Sequence, residues 1–264
     1  MTHKIYQVDA FTDRLFGGNP AAVCPLDEWL PDAVMQQIAA ENNLAETAFY
    51  VPQENDFALR WFTPTVEVDL CGHATLATAH VLFEIEGYRQ PEIHFHTRSG
   101  VLTVQRQDDQ LAMNFPADTL TPTELPPEVV EGLGKPPIQA VFRGKSDFLV
   151  VLENQEQLLS LAPDFKKLGE YRDIRATIVT APGEAVDFVS RCFAPQSGID
   201  EDPVTGSAHT TLTPYWAQRL GKAQLTAQQL SRRRGTLGCT HLGDRVVIAG
   251  HAVTYLRGEI DIYP

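Results

Sequence analysis

The stretch VDLCGHATLATAHVLFE, Val68 to Glu84, sets Cys71, Gly72 and His73 directly before a run rich in Ala, Leu and Val. Small and apolar residues recur around that run, the pattern of a helix enclosed by protein rather than one lying on a surface. An enclosed helix still has unsatisfied N–H donors in its first turn, together with the positive end of its dipole. Polar side chains or a ligand must complete that end, and an anion is its natural guest.

Working outward, a second stretch repeats the first. Pro64 of RWFTP (Arg60–Pro64) stands eight residues before Gly72, and Pro195 of RCFAP (Arg191–Pro195) stands eleven before Gly206 of TGSAH. Aligning the two glycines sets Cys71 against Thr205, His73 against Ser207 and Ala74 against Ala208. Such an internal repeat predicts an α+β chain of two similar lobes, each with mainly antiparallel, barrel-like strands wrapped around one apolar helix. Two helix starts facing a cleft between lobes would make a pocket for a carboxylate, with Gly72 and Gly206 allowing close backbone approach. Ordinary capping competes for one residue: Asp202 followed by Pro203 is a good N-cap and first-position pair.

The remaining elements alternate in period. KIYQVDAF opens as a strand, a Gly-Gly-Asn-Pro turn follows, and residues 31–44 read as a helix begun by Pro31. ETAFYV and FALRWF return to strand, and residues 92–115 read as a three-stranded antiparallel meander. Pro116, Pro122, Pro126 and Pro127 then interrupt any long element, so this segment reads as the passage between lobes, 1–117 and 118–264, with the last strand free to return to the first. The second half repeats strands, a helical patch near 155–168, more strands, a helix from TGSAH onward, and a strand-forming tail.

With 264 residues, 43% of them hydrophobic, the chain can bury a real core. A net charge of -13 disfavours nucleic acid and anionic membrane surfaces, which would repel it. No apolar run of about 18 residues occurs and MTHKIYQVDAF lacks a signal-like apolar region, so a cytoplasmic protein is expected. Cys24, Cys71, Cys192 and Cys239 are scattered without CxxC spacing, which argues against a disulfide framework or structural zinc. His73 and His80 lie two helical turns apart, and His94 and His96 share one strand face, so neither pair suggests a shared ion and no metal is expected.

VDAFT and FGGNPAAV, NNLAETAFYV, RWFTPTVEVDLCGHATLATAHVL and EDPVTGSAH resemble, in order and spacing, the phenazine biosynthesis PhzF-like isomerase family, which has the diaminopimelate epimerase-like fold. The resemblance covers nearly the whole chain. It implies an interlobe active site, a homodimer, and an isomerase that moves a proton on a small carboxylated molecule with no metal or organic cofactor. It places the proton-carrying carboxyl at Glu46 and substrate-holding or assisting groups at His73 and Asp202. Gly72, Gly206 and Ser207 match backbone and hydroxyl contacts, and Asn19 and Cys71 join them as candidate substrate-binding residues.

The residue types suit that chemistry. A base that must return its proton is served by a carboxyl shielded from water, whose pKa burial raises toward working pH. Epimerases of this fold exchange a proton between two thiols, and Cys71 occupies the first such place. Thr205 occupies the second, and a hydroxyl is a far poorer base than a thiolate. Two-thiol racemisation is therefore the lesser enzymatic reading, and a non-catalytic small-anion binder or protein-interaction member is the alternative of a different class.

Overall fold

The computed structural model describes residues 2–262. β1 (Thr2–Ala10) and β2 (Asn19–Pro25) pair antiparallel from Tyr6 opposite Val23 to Ala10 opposite Asn19. The turn between them demands glycine at Gly18, whose φ is +61° and where a Cβ would lie 2.1 Å from the Ala10 carbonyl oxygen. Asn19 is thereby delivered as the first residue of β2. α1 (Asp32–Asn42) has Pro31 as its N-cap and ends where Asn43 turns left-handed. β3 (Glu46–Gln53) then runs parallel to β2, with Glu46 opposite Ala21, so both strands begin at the same edge.

β4 (Asp56–Phe62) returns antiparallel to β3, and β5 (Glu67–Val68) pairs back on β4. α2 (Gly72–His80) is the enclosed helix read from the sequence: every residue from His73 to Ala79 is buried. Thr75 and Thr78 keep their hydroxyls satisfied inside it by donating to the carbonyls of Cys71 and Ala74, at 2.6 and 2.8 Å. The predicted helix does not stay α throughout. Val81–Ile85 continues it as a π turn, with the Glu86 N–H reaching the Val81 carbonyl five residues back. β6 (Glu92–Thr97) lies parallel to β4, and β7 (Gly100–Gln107) and β8 (Gln110–Pro116) complete the expected meander.

The proline-rich passage is more structured than its composition suggests. β9 (Thr121–Pro122) pairs with β10 (Ile138–Arg143), and between them α3 (Pro127–Gly132) starts with proline at its first position, where no N–H is needed. Val129 and Leu133 bury that turn among Phe148, Leu158 and Leu168, which is why it folds onto the core instead of remaining a linker.

β11 (Asp147–Leu152) pairs antiparallel with β10, α4 (Gln155–Leu159) and α5 (Phe165–Leu168) follow, and β12 (Ala176–Pro182) lies parallel to β11. β13 (Phe188–Ala194) is antiparallel to β12, and β14 (Ile199–Asp202) folds back on β13. α6 (Gly206–Leu220) is the second buried helix. Pro214 inside it cannot donate to the Thr210 carbonyl, and the Asp118 N–H takes that acceptor at 3.1 Å. β15 (Gln224–Gln229) runs parallel to β13, β16 (Gly235–His241) antiparallel to β15, and β17 (Arg245–Gly250) follows. β18 (Ala252–Asp261) pairs antiparallel along the whole of β1.

The chain thus divides into two compact units, one formed by residues up to Asn114 and from Ala249 onward, the other by Phe115–Ile248. Each has the same wiring: an antiparallel pair, a parallel return after helix, an antiparallel neighbour, a short back-pairing strand, and a buried helix. The repeat extends to side chains. Arg60 forks onto Glu67 at 2.7 and 2.8 Å and lies over Phe62; Arg191 forks onto Glu201 at 2.8 and 2.9 Å and lies over Phe193. Among the described residues no helix is long and apolar enough to cross a membrane.

Candidate active site

Three chain segments of the first unit converge on His73. β2 begins with Asn19, its parallel neighbour β3 begins with Glu46, and α2 has Cys71 as N-cap and His73 in its first turn. Asn19 Nδ2 lies 3.2 Å from His73 Nδ1, and Cys71 Sγ lies 3.5 Å from that nitrogen. On the other ring edge, Nε2 is 3.2 Å from Glu46 Oε2. This last approach is a close charge contact without hydrogen-bond alignment, so Nε2 and Oε2 are each buried without a directed partner. The side chains of His73 and Glu46 are 7% and 13% exposed, which leaves the contact little water to screen it.

The electrostatics differ from the expectation for Glu46. Burial alone pushes its carboxyl up, but the His73 charge and the hydrogen-bonding reach of His73 and Cys71 win, holding it below the ordinary carboxylate range. Burial conversely opposes charge on His73, and Cys71 and Glu46 beside it overcome that, raising the imidazole well above 6.5. At neutral pH the pair is therefore carboxylate and imidazolium. Burial, then the Glu46 charge, pushes the Cys71 thiol up to about 11, so the sulfur rests protonated. Which way the Asn19 amide faces follows the ring: Nδ2 donates to a neutral Nδ1, and an imidazolium Nδ1–H instead requires the amide oxygen.

The second unit holds Asp202, Gly206 and Ser207. Asp202 closes β14, and α6 begins only at Gly206 with Thr205 as N-cap, so Asp202 stands too early to cap the helix directly. It acts one step removed: Thr205 Oγ1 donates to Asp202 Oδ2 at 2.6 Å, while Gln229 accepts from the Thr205 N–H at 2.8 Å and donates to the Asp202 carbonyl at 2.6 Å. Ser207 Oγ accepts from Arg175 Nη1 at 2.7 Å. Arg175 itself forks onto the buried carboxylate of Asp147 through Nε and Nη2.

Asp147, Arg175 and Gln229 are absent from the sequence reading. A charge opening the wholly apolar strand DFLVVL signals a paired Asp147, whereas nothing local in the sequence marks Arg175 or Gln229. The other histidines have separate engagements: His80 meets Thr254 Oγ1 at 2.9 Å, and His94 and His96 both meet Asp56, at 3.2 and 3.1 Å.

Residues 8–258 match the family described as phenazine biosynthesis-like protein. The chain is 52% identical, over 99% of its length and 100% of the relative's, to an uncharacterized isomerase of Pseudomonas aeruginosa. Among solved structures, a phenazine biosynthesis PhzF-family protein of Enterococcus faecalis superposes with a TM-score of 0.96 at 45% identity, covering 99% of this chain and 100% of that one. A hydroxyproline epimerase of Agrobacterium vitis, with trans-4-hydroxy-L-proline bound, matches with a TM-score of 0.60 over 98% of this chain and 92% of that one. At 11% identity that likeness establishes the shared epimerase-like α+β fold and nothing finer.

Proposed function

The chain belongs to the phenazine biosynthesis-like PhzF family, and from that premise we propose that it is a cofactor-independent isomerase in which Glu46 relocates a proton on a small carboxylated substrate. The observation that carries this reading is the buried contact of 3.2 Å between the Glu46 carboxylate and His73. Glu46 removes a proton from a substrate carbon, the electron pair delocalises over the adjacent unsaturation, and the same carboxyl returns the proton at another carbon. Nothing is oxidised or reduced.

A carboxylate held below its ordinary pKa is a weak base, so the reacting carbon must be made more acidic. N–H donors at the start of α2 and the His73 imidazolium stabilise charge as it develops on a substrate oxygen or nitrogen. His73 also offsets the cost of keeping Glu46 ionised while buried. The family resemblance further assigns Asp202, Gly206 and Ser207 to holding substrate, and assigns the chain to a homodimer; light scattering of the purified protein measures the latter.

Solvent deuterium incorporation into a panel of small unsaturated and amino acids tests the reaction. Exchange that falls by about 100- to 10,000-fold in Glu46→Gln supports the assignment, this being the usual worth of a general acid or base. Equal exchange in both proteins, or none with any acid, favours a binding protein instead.

A further inference from the structure

A cavity of about 670 Å³ lies within the first unit, at the far end of the buried helix from His73. Leu82 of the π turn and Glu86, which caps that turn, line it together with the rings of Tyr50, Phe57 and Tyr88. At about 1.5 Å per residue the run from Gly72 to Glu86 is roughly 20 Å long, so the cavity is separate from the Glu46–His73 contact, and neither of those residues lines it. Its volume falls within the roughly 300 to 1,000 Å³ of small-molecule sites, and π turns within helices recur at functional positions.

The lining selects for positive charge. Asp27, Glu86 and Glu259 contribute carboxylates, opposed by Lys4, and the helix presents the negative end of its dipole here. Glu86 is held in place: Oε1 accepts from the Tyr6 hydroxyl at 2.7 Å and from Lys4 Nζ at 3.1 Å. Burial pushes its carboxyl up, but Tyr6 and Lys4 outweigh that and hold it below the ordinary carboxylate range, so it is ionised at neutral pH. Polar atoms also await a partner. Tyr50 is only 4% exposed, yet among the described residues its hydroxyl has no hydrogen-bond partner; burial, then the charge of Glu86, raises the phenol, which stays neutral. His3 Nε2, on the same lining, is buried without a partner too. Phe57 meets Tyr50 and Tyr88 edge to face, each with centroids 5.5 Å apart, giving a run of aromatic surface that suits a cation or an aromatic body.

We propose that this cavity is a second binding site of the chain and that it takes a small organic cation, an ammonium group carried on an apolar or aromatic body. The ammonium donates to the Glu86 carboxylate and the Tyr50 oxygen, and the body lies against Phe57, Tyr88 and Leu82. Lys4, 57% exposed, shares the same carboxylate and therefore competes with the ligand. The inference goes beyond the isomerase reading and stands whether or not that reading holds.

Three probes of one shape and different charge test the site on the full-length protein: 2-phenylethylammonium, 2-phenylethanol and 3-phenylpropionate, titrated by ligand-observed NMR at neutral pH and low ionic strength, where charge is least screened. The ammonium should bind at least about tenfold more tightly than the alcohol, and the carboxylate should not bind. Glu86→Gln should erase the advantage of the ammonium, and Tyr50→Phe should weaken its binding about threefold to tenfold. Lys4→Met should strengthen it about twofold to fivefold, the scale of an exposed ion pair removed from competition. That gain decides the matter should Glu86→Gln fail to fold, because a misfolded protein does not bind more tightly. Glu46→Gln should leave the affinity unchanged, which places the probe away from the candidate active site. No binding of the ammonium, equal affinity for ammonium and alcohol, no gain in Lys4→Met, or a loss in Glu46→Gln with none in Glu86→Gln would overturn the site.

Discussion

His73 and Ser207 hold equivalent places, each directly after the glycine that opens its unit's buried helix, and each is met by a charged side chain at the start of a parallel strand. Glu46 of β3 approaches His73 to 3.2 Å, and Arg175, immediately before β12, donates to Ser207 at 2.7 Å. The third place repeats as well: Asn19 opens β2 and touches His73, and Asp147 opens β11 and grips Arg175. One scaffold thus presents a buried carboxylate beside its helix in one unit and a fixed cation in the other.

The Arg175–Asp147 pair yields a stability prediction. Asp147 is 2% exposed, so Arg175→Met strands a buried carboxylate, at a cost of about 2 to 3 kcal/mol after discounting the half-exposed guanidinium. The double variant Asp147→Asn/Arg175→Met should recover part of that loss, because no buried charge is left unpaired. Urea unfolding of the single and double variants reads the difference; equal losses in both would deny the pairing.

Asn19 is fully buried against His73, and its amide fixes the ring through Nδ1. Asn19→Ala should forfeit about 1 to 3 kcal/mol of that orientation, roughly a tenfold to hundredfold slower deuterium exchange, with KM little changed. A raised KM at unaltered kcat would make Asn19 a substrate contact instead.

Cys71 separates the isomerase from a thiol-based racemase. With its thiol at about 11, the thiolate at pH 7.5 is about one part in 3,000, against roughly one in ten for a free cysteine. Alkylation of Cys71 by iodoacetamide should accordingly be at least about 100-fold slower than that of a free thiol, and Cys71→Ala should retain deuterium exchange. Rapid alkylation with loss of exchange in Cys71→Ala would favour the racemase.

The sequence revealed the scaffold better than the contacts. VDLCGHATLATAHVL identifies α2 because an all-round apolar surface has few other destinations, and the RWFTP and RCFAP repeat anticipates the matched Arg60–Glu67 and Arg191–Glu201 forks. The Pro-rich passage holds no long element, as its prolines imply, but its short helix α3 was not legible, because proline interrupts long elements yet suits the first turn of a short one. Glu46 was identifiable only through its family motif; its lowered pKa was not, since burial and a cation beside it act in opposite directions and only distance decides between them. Arg175 and Gln229 reach their partners across 32 and 24 residues, a separation that local pattern cannot register.

His209 gives the pH dependence. Buried in α6 beside Phe188, it donates from Nδ1 to the Thr205 carbonyl at 2.8 Å, while Nε2 lies buried without a hydrogen-bond partner. Burial, opposed only by that one bond, lowers its pKa from 6.5 to about 4. The unfolded chain therefore takes up this proton first as pH falls. The stability contribution is fully present above about pH 6.5 and declines toward pH 4, where the native state also protonates; the total, about 3 kcal/mol, follows from the shift. In urea titrations at pH 7.0, 6.0, 5.0 and 4.5, the native protein should weaken steadily, and His209→Gln, whatever its stability at pH 7, should show a shallower decline. Parallel declines in the two proteins would assign the acid sensitivity to other groups.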